Sequence, residues 1–333
     1  MKAVEYDRTG GSEVLQLREV LPPPPGTRQV LVEVHAAALN PKDILLRSGK
    51  LGWLAGPGGW PRRSGYDWAG VALAVGREVR DVRPGDALFG MIQSGAGGAL
   101  AERAAVNADE CAPLPPGLSF GEAAALPLTA LTAWQALRDI ARLQPGQRVL
   151  LNGASGGVGV AAIQLARVLG AHVTTLSSAA NRGLCRELGA HVALDYQHDS
   201  PRQPGHAYDV VFDIFGTLPF ARARGLLAPR GVHISTIPSA RTLRDVVSTL
   251  LSPQRARLVV VRSRRSDLIE LGQLASKGLL IPIVDSQFPL TAVAAAHDRV
   301  ATKRARGKVI VTLQPGALPS LAPQPPIPPR SPE

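Results

Sequence analysis

Short apolar runs separated by turn residues dominate the first 120 residues of the chain. Residues 30–34, 70–75 and 87–90 are such runs, and the Val-Arg-Pro-Gly-Asp segment at 82–86 is a turn that leads into the third. The prolines at 22–25 cannot donate to a β-ladder, so they lie in a connection. The pattern predicts that residues 1–120 form an all-β region.

The pattern changes near residue 120, where Ala- and Leu-rich segments take over. Residues 120–142 have helical spacing that is broken at Pro127, and strands and helices alternate after them. The predicted strands are 148–152, 172–176, 192–194, 209–215, 231–236, 258–261 and 281–284, and the predicted helices are 157–169, 181–188, 218–227, 243–251 and 268–277. Such alternation is typical of a parallel sheet covered by helices on both faces, so we predict an α/β fold. A last strand-like run at 307–313 is able to pair with either region.

The length of 333 residues predicts more than one domain, since a single hydrophobic core rarely serves so long a chain. We assign residues 1–120 to a β-rich domain, 121–284 to the α/β domain, and 285–314 to a return into the first domain. Residues 315–333 are rich in proline and have little apolar periodicity. That composition is typical of a disordered extension, with a proline-dependent partner site as the alternative.

The composition narrows the class of protein. Lys and Arg number 37 against 26 Asp and Glu, a formal net charge of +11. The densest basic groups, at 262–265 and 303–308, lack interleaved aromatic residues, so we expect no nucleic-acid partner. The scarcity of cysteine, limited to Cys111 and Cys185, excludes a disulfide framework and a Cys-rich zinc lobe. Without a long apolar run or a signal h-region, we expect no membrane partner and a cytoplasmic location.

The strongest local motif is a strand that runs into glycines. Glycines stand at 153, 156 and 159 after the apolar run 148–152, and an amphipathic helix follows. Glycines permit a tight turn and the close approach of a pyrophosphate, which the helix N-terminus attracts. The motif predicts a dinucleotide site formed by Gly153, Ser155, Gly156, Gly157 and Val158. The alternative is a glycine-rich turn in an α/β domain that binds no nucleotide.

The end of the second strand of this region discriminates between NAD and NADP. An NAD site needs Asp or Glu there to bind the ribose 2′-hydroxyl, whereas residues 174–182 contain no acid. Ser177 and Arg182 suit a 2′-phosphate, which needs donors and a cation. We therefore predict NADPH as the cofactor. The alternative is that Arg182 is only a solvated residue on the first turn of the next helix.

Several segments in a fixed order carry a family resemblance. They are Asn40-Pro41-Lys42-Asp43, residues 65–70, 82–86 and 124–130, the glycine motif, and Arg306-Gly307-Lys308. With them the chain resembles, up to about Leu313, the medium-chain dehydrogenase/reductase superfamily and its zinc-independent, zeta-crystallin-like quinone oxidoreductases. The resemblance implies a GroES-like β-rich catalytic domain beside a Rossmann domain with a doubly wound parallel sheet. It also implies a cofactor and substrate in the cleft between them, and a homodimer.

The resemblance also implies site residues. Asn40 is the best candidate for a polar catalytic group beside the reacting centre, and it would contact the cofactor as well. The remaining implied cofactor contacts are Thr129 near the nicotinamide, Phe215 and Gly216 on the cofactor's path, Tyr196 near the adenosine ribose or its phosphate, and Lys308 near phosphate or substrate.

Zinc-dependent alcohol dehydrogenases belong to the same superfamily, but this sequence lacks the ligands that they need. Asn40 stands at the first ligand position, and the Gly-His-Glu pattern is replaced by Gly65-Tyr66-Asp67. His35 stands in a strand-like run, where we expect a packed or exposed strand residue. We therefore expect no metal, and we interpret Asp43 and Asp67 as buried structural acceptors.

The expected reaction is hydride transfer from NADPH to a quinone or a small enone. The protein's share is orientation and electrostatic support for the developing oxyanion. Related enoyl-thioester reductases place a Tyr shortly after an Arg-Ser-Gly segment as a proton donor, but no Tyr follows Arg47-Ser48-Gly49 before Tyr66. Two alternatives stay open: an enoyl-thioester reductase of the same fold, and a low-turnover NADPH-binding sensor or partner protein.

Overall fold

Antiparallel strands form most of the N-terminal region in the computed structural model, which describes residues 1–51, 59–95, 97–202 and 207–313. The strands of this region are Lys2–Tyr6 (β1), Gln16–Glu19 (β2), Gln29–Leu39 (β3), Arg62–Arg63 (β4), Asp67–Val75 (β5), Ala87–Met91 (β6), Arg103–Asn107 (β7) and Cys111–Pro113 (β8). Two strands from late in the chain, Val284–Pro289 (β15) and Lys308–Thr312 (β16), join them. One sheet has the order β15-β16-β3-β5-β6-β8 with β7 also paired to β3, and the other has the order β2-β1-β4. The predicted extension at 315–333 lies outside the described residues.

A short helix, Pro41–Arg47 (α1), follows the central strand β3, so the prediction of an all-β region is wrong at this point. The backbone N–H of Asn40 donates to Asp43 Oδ2 at 2.9 Å, which closes the first turn. Pro41 occupies the first helical position, where its missing N–H costs nothing. The helix therefore begins directly at the end of the strand that pairs with β5, β7 and β16.

A parallel sheet forms the second half of the fold. Its strands are Arg148–Asn152 (β9), His172–Ser177 (β10), Val192–Asp195 (β11), Tyr208–Asp213 (β12), Leu227–Ser235 (β13) and Arg255–Leu258 (β14). The helices that follow α1 are Phe120–Ala124 (α2), Pro127–Trp134 (α3), Gly157–Val168 (α4), Arg182–Glu187 (α5), Phe220–Ala223 (α6), Ala240–Ser248 (α7), Arg265–Ser276 (α8) and Val293–Ala301 (α9). The strand order β11-β10-β9-β12-β13-β14 is that of a doubly wound Rossmann sheet, which confirms the predicted fold class.

Two predicted strands of this region are wrong. The strand predicted at 258–261 runs from Arg255 to Leu258, because its register with β13 begins at Val232 and Arg255. The strand predicted at 281–284 starts at Val284 and pairs with β16, outside the parallel sheet. Apolar composition alone marked the wrong residues in both places, since the pairing partner decides where a strand begins.

The two halves share one core and meet at the glycine motif. Trp68 of β5, Leu131 of α3 and Leu151 of β9 belong to the same cluster of buried apolar residues. A parallel bridge joins Gly156 to Gly307, whose N–H donates to the carbonyl of residue 155 at 3.1 Å. The end of the parallel sheet is thereby fixed against the C-terminal strand. Within the described residues, no helix is long and apolar enough to cross a bilayer.

Candidate active site

A tight turn joins β9 to α4. Gly153 has a φ of +88°, and a Cβ there would lie 2.8 Å from the Cβ of Phe215. Gly156 precedes α4 and offers no side-chain acceptor to the helix N–H groups. The first-turn N–H groups of this 12-residue helix, including that of Val158, therefore remain for an anion. Because the cradle is lined by glycine, a pyrophosphate fits it.

The loop after β10 contacts this turn. The side-chain amide of Asn181 donates to Ser155 Oγ at 2.9 Å. The other amide atom, Asn181 Oδ1, is buried and has no hydrogen-bond partner in the described part of the chain. A buried acceptor beside the pyrophosphate cradle suits a ribose hydroxyl. Sequence reasoning missed Asn181, although a polar residue directly before α5 was a visible signal.

The predicted 2′-phosphate residues lie at the carboxyl end of β10. Ser177 is buried, and the thiol of Cys185 contacts its hydroxyl with Sγ 3.7 Å from Oγ. Arg182 Nε donates to the carbonyl of Ala193 at 2.9 Å, and its Nη1 lies 3.8 Å from Asp199 Oδ2. The guanidinium of Arg182 is therefore tethered to β11 but still partly exposed. Ser177 has little access to a ligand in this arrangement.

Arg306 supplies a second cation to the loop after β10. It is exposed, and its Nη2 donates to the carbonyl of Ala180 at 3.3 Å. Its backbone N–H donates to Asp285 Oδ1 at 2.8 Å, which anchors the segment. In the sequence Arg306 stands out only as part of a family motif, because nothing local relates it to the loop after β10.

Two exposed aromatic residues border the carboxyl edge of the parallel sheet. Tyr196 is 60% exposed and follows β11, while Phe215 is 52% exposed and follows β12. Gly216, which has a φ of +82°, donates its N–H to Asp213 Oδ1 at 2.9 Å. These side chains lie on the same edge of the sheet as the glycine turn, where flat ligands bind in such folds.

On the opposite side of the turn, three polar side chains form a buried network. Lys308 Nζ lies 2.9 Å from Asp67 Oδ2 and also donates to Asn40 Oδ1. Asn40 Nδ2 donates to the same Asp67 oxygen at 3.0 Å, and the N–H of Leu128 donates to Asp67 Oδ1 at 2.9 Å. All three residues are at most 4% exposed. The network connects α1, β5, β16 and the start of α3.

The glycine motif packs directly on this network. A Cβ on Gly157 would lie 2.9 Å from Thr129 Cγ2 and 3.1 Å from Lys308 Cδ. The predicted residues Thr129, Gly157, Lys308 and Asn40 are thus brought together. Tyr196 and Arg182 lie beyond the other end of the turn, around β10 and β11.

The predicted catalytic group, Asn40, has its amide fully engaged. Its Nδ2 donates to Asp67 and, at 3.4 Å, to the carbonyl of Ala38, while its Oδ1 accepts from Lys308. The hydroxyl of Thr129 likewise donates to the helix carbonyls of residues 125 and 126. Asn40 is therefore held rigidly, without a free donor for a substrate oxygen.

Asp43 and Asp67 both accept hydrogen bonds inside the protein. Asp43 Oδ1 accepts from Ser64 Oγ at 3.0 Å and from the N–H of Gly65 at 2.8 Å, and its Oδ2 accepts from the N–H of Asn40. Burial raises the pKa of Asp43 despite these donors. The arrangement fits the interpretation of both acids as structural acceptors.

Lys42 differs from the other charged residues of this region. Its Nζ lies 3.7 Å from the centroid of the Tyr66 ring, and Tyr66 is itself buried with its hydroxyl donating to the carbonyl of Gly95 at 2.8 Å. Lys42 forms no ion pair with any residue that the structure describes. Burial lowers the pKa of its ammonium, which Asp43 and Asp67 partly offset. Sequence reasoning assigned it no role.

Asn40 and Tyr66 stand at the positions that hold zinc ligands in the zinc-dependent alcohol dehydrogenases. In the described ranges no group of three or more His, Cys, Asp or Glu lies close enough together to hold a metal ion. His35 instead packs against Phe120, with ring centroids 4.3 Å apart.

Taken together, a doubly wound sheet with a glycine cradle, fixed against a β-rich domain that supplies buried polar residues, defines a two-domain, dinucleotide-dependent oxidoreductase. Family models agree with this class. Residues 26–116 match the alcohol dehydrogenase GroES-like domain, and residues 188–311 match a model described as zinc-binding dehydrogenase.

Individual relatives narrow the class. A chloroplastic quinone oxidoreductase of Triphysaria versicolor is 32% identical over 93% of this chain and 98% of its own length. A chloroplastic NADPH-dependent alkenal/one oxidoreductase of Arabidopsis thaliana is 35% identical over 93% of this chain and 79% of its own length. The solved structure of the quinone oxidoreductase from Coxiella burnetii superposes with a TM-score of 0.87 at 30% identity, covering 94% of this chain and 99% of that one. The chain belongs to the quinone oxidoreductase branch of the medium-chain dehydrogenase/reductase superfamily, and it is an oxidoreductase.

Proposed function

We propose that the protein is an NADPH-dependent reductase of quinones or small enones. The observation that carries the choice of cofactor is the carboxyl end of β10. The strand ends there without an acid, Arg182 follows it in the chain, and Arg306 donates to the carbonyl of Ala180 in the loop after it. A free 2′-hydroxyl needs a carboxylate there, whereas a 2′-phosphate needs cations. The Arabidopsis relative, NADPH-dependent by name, supports the same choice. When bound, the reduced nicotinamide supplies a hydride.

Different residues of the chain would then bind different parts of the cofactor. In this proposal Gly153, Gly156, Gly157, Ser155 and Val158 hold the pyrophosphate at the N-terminus of α4. Arg182 and Arg306 bind the 2′-phosphate, and the buried Ser177 makes a smaller contribution. Tyr196, Phe215 and Gly216 border the adenosine side, while Thr129, Asn40 and Lys308 bound the nicotinamide side.

The cofactor preference is tested with single substitutions. Arg182→Ala and Arg306→Ala should each weaken NADPH binding about 10- to 100-fold, since each removes a charge-assisted contact to phosphate. NADH binding should stay unchanged, and Ser177→Ala should have a smaller effect because its hydroxyl is buried. Quenching of protein fluorescence by NADPH and NADH gives the dissociation constants. Arg186→Ala, an exposed cation on the same helix, is the matched control.

The NADPH proposal fails if NADH binds as tightly as NADPH to the wild type and to the Ser177→Ala and Arg182→Ala variants alike. A loss of both cofactors to the same extent in Arg182→Ala would assign that residue to folding of the loop instead.

The acceptor is tested by following NADPH oxidation with ortho- and para-quinones, small enones, and crotonyl and longer enoyl thioesters. We expect turnover with quinones and enones to exceed that with thioesters, since a carbon acid needs a positioned proton donor more than a quinol oxygen does. Faster turnover with thioesters would favour the enoyl-thioester reductase. No oxidation above the uncatalysed rate with any acceptor would favour a low-turnover NADPH-binding sensor.

We further propose that the protein is a cytoplasmic homodimer. The helix α7 and the residues just after the edge strand β14 carry exposed apolar side chains, among them Val247 on the helix at 67% and Val260 after the strand at 70% exposed. Exposed apolar area beside an open sheet edge suits a second copy of the same chain.

A further inference from the structure

The proposed reaction requires a donor for the acceptor's carbonyl oxygen, and the predicted one is occupied. Both Nδ2 protons of Asn40 face Asp67 and Ala38, and the hydroxyl of Thr129 faces its own helix. An oxyanion that develops beside these residues would find no free side-chain donor on either of them. Another group must therefore support the charge.

Lys42 has the properties that this role needs. It lies on the first turn of α1, two positions after Asn40, and its ammonium rests on the Tyr66 ring at 3.7 Å from the centroid. A ring face attracts a cation without consuming its N–H donors as a carboxylate would. Lys308, by contrast, is neutralised by the buried carboxylate of Asp67. Of Lys42 and Lys308, Lys42 is therefore the one whose charge is not paired with a carboxylate in the described part of the chain.

Lys42 also lies near the buried network of Asn40, Asp67 and Lys308. Its ammonium lies within electrostatic reach of Asp67, the residue that binds Asn40 and Lys308. Lys308 in turn packs on Gly157 at the start of α4. The half-buried ammonium and the glycine cradle therefore both adjoin the same buried network.

We propose that Lys42, held on the face of Tyr66, is the catalytic cation that binds the carbonyl oxygen of the acceptor and gives it a proton. This inference rests on the proposed function and adds a residue to it. Hydride addition forms a C–H bond at the electron-poor carbon conjugated with the carbonyl, and the electron pair of the carbonyl π bond ends on the oxygen of the acceptor. One N–H bond of Lys42 breaks and an O–H bond forms, which gives an enol. A quinone becomes the quinol when the carbon that received the hydride loses a proton to water and the second carbonyl oxygen gains one from water. The neutral amine of Lys42 regains a proton from water.

The groups that face this ammonium determine its pH dependence. They are Asp43 on α1 and Tyr66 and Asp67 at the start of β5, with Lys308 of β16 behind Asp67. Burial raises the pKa of Tyr66, so that ring stays neutral. Burial lowers the pKa of Lys42 below its ordinary value. Since only the protonated amine can donate, kcat should fall as the pH rises through that lowered pKa.

The test compares Lys42→Met, Lys42→Arg and, as a matched control, Lys50→Met, which removes an exposed lysine shortly after α1. With quinones and enones, Lys42→Met should lower kcat about 10- to 100-fold and abolish the basic limb of its pH profile. The dissociation constant of NADPH should not change. Lys42→Arg should restore part of the rate, and Lys50→Met should behave as wild type.

A second readout does not depend on turnover. The phenolate of 4-nitrophenol absorbs visible light, so its absorbance reports the ionisation of the bound phenol as a stand-in for the oxyanion. Wild-type protein without cofactor should lower the apparent pKa of bound 4-nitrophenol, and Lys42→Met should bind the phenolate about tenfold more weakly. Binding of the neutral phenol should be the same in both proteins.

The two proposals fail separately. If the phenolate binds equally to wild type and Lys42→Met, and kcat is equal as well, Lys42 is not the oxyanion cation. The proposal for Lys42 would also be overturned if Lys42→Met lowered kcat but its pH profile kept the basic limb of the wild type. If wild type oxidises no NADPH while phenolate binding still requires Lys42, the anion site stands and the reductase proposal fails.

Discussion

Each buried carboxylate of this site is stabilised by several hydrogen-bond donors. The carboxylate of Asp67 accepts from Lys308, Asn40 and the N–H of Leu128, and Asp43 accepts from three donors of its own. A buried ion pair of this kind stabilises little in itself, but the loss of one partner typically costs about 3–5 kcal/mol. The buried network is therefore structural, and the proposed proton donor, Lys42, lies beside it and not within it.

His297 is a buried residue without such compensation. It is fully buried, neither ring nitrogen has a hydrogen-bond partner among the described residues, and burial lowers its pKa to about 3, with Arg47 adding to the effect. An unfolded histidine has a pKa near 6.5, so below that pH the unfolded chain binds a proton that the folded one rejects. Stability from this residue is therefore complete above about pH 6.5 and is lost as the pH falls towards 3.

We expect His297→Leu to remove that loss. Between pH 6 and pH 4 the free energy of unfolding of the wild type should fall by about 1.4 kcal/mol per pH unit more than that of the variant. Urea denaturation at several pH values in this range measures the difference, and His198→Gln serves as an exposed control. Parallel pH dependences in wild type and His297→Leu would show that the imidazole accepts a proton in the folded state.

At the scale of elements, the sequence predicts the bounds of a helix or strand correctly where adjacent residues determine them. The bounds of β9 and the first residue of α4 agree with the predicted 148–152 and 157, because an apolar run ends there at glycines. The helix α1 was missed because it is only seven residues long and stands among strands, although Pro41 and Asp43 marked its first turn. The strand β14 was displaced because its own residues include Arg255 and Arg257 and carry little apolar pattern.

The site residues also divide into those that a local motif predicts and those that only tertiary packing brings together. The glycine cradle follows from adjacent residues, and the sequence motif was enough to predict it. Arg306 reaches the carbonyl of Ala180 across 126 positions, and Lys42 meets Tyr66 only when α1 folds onto the start of β5. Contacts of this kind depend on tertiary packing, so no local pattern could have indicated them.

At the scale of the whole molecule, the net charge of +11 has only a partial explanation. In the proposed function Arg182 and Arg306 bind the cofactor phosphate, and Lys308 is paired with the carboxylate of Asp67. Most of the other basic residues that the structure describes lie at the surface. Charge of one sign keeps copies of the chain apart, so any self-association requires an apolar surface to offset it.

The helix α7 and the residues that follow it provide that surface. The helix buries none of its residues, and Leu243 is 55% and Val247 67% exposed on it. Leu251 beyond its end is 99% exposed, and β14 lies beside it as the last strand of the parallel sheet. A monomer would leave both this apolar patch and the open strand edge in water.

We therefore expect the wild type to have twice the 35.0 kDa mass of the chain in light scattering after size exclusion. The double variant Val247→Asp with Leu251→Asp should be a monomer, because a charge on each copy would have to be buried in the interface. Leu21→Asp, which changes a leucine that is 88% exposed elsewhere, should remain a dimer. A monomeric wild type would refute the homodimer. A dimeric double variant with unchanged affinity would move the interface away from α7, leaving the opposite sheet edge at β11 as the next candidate.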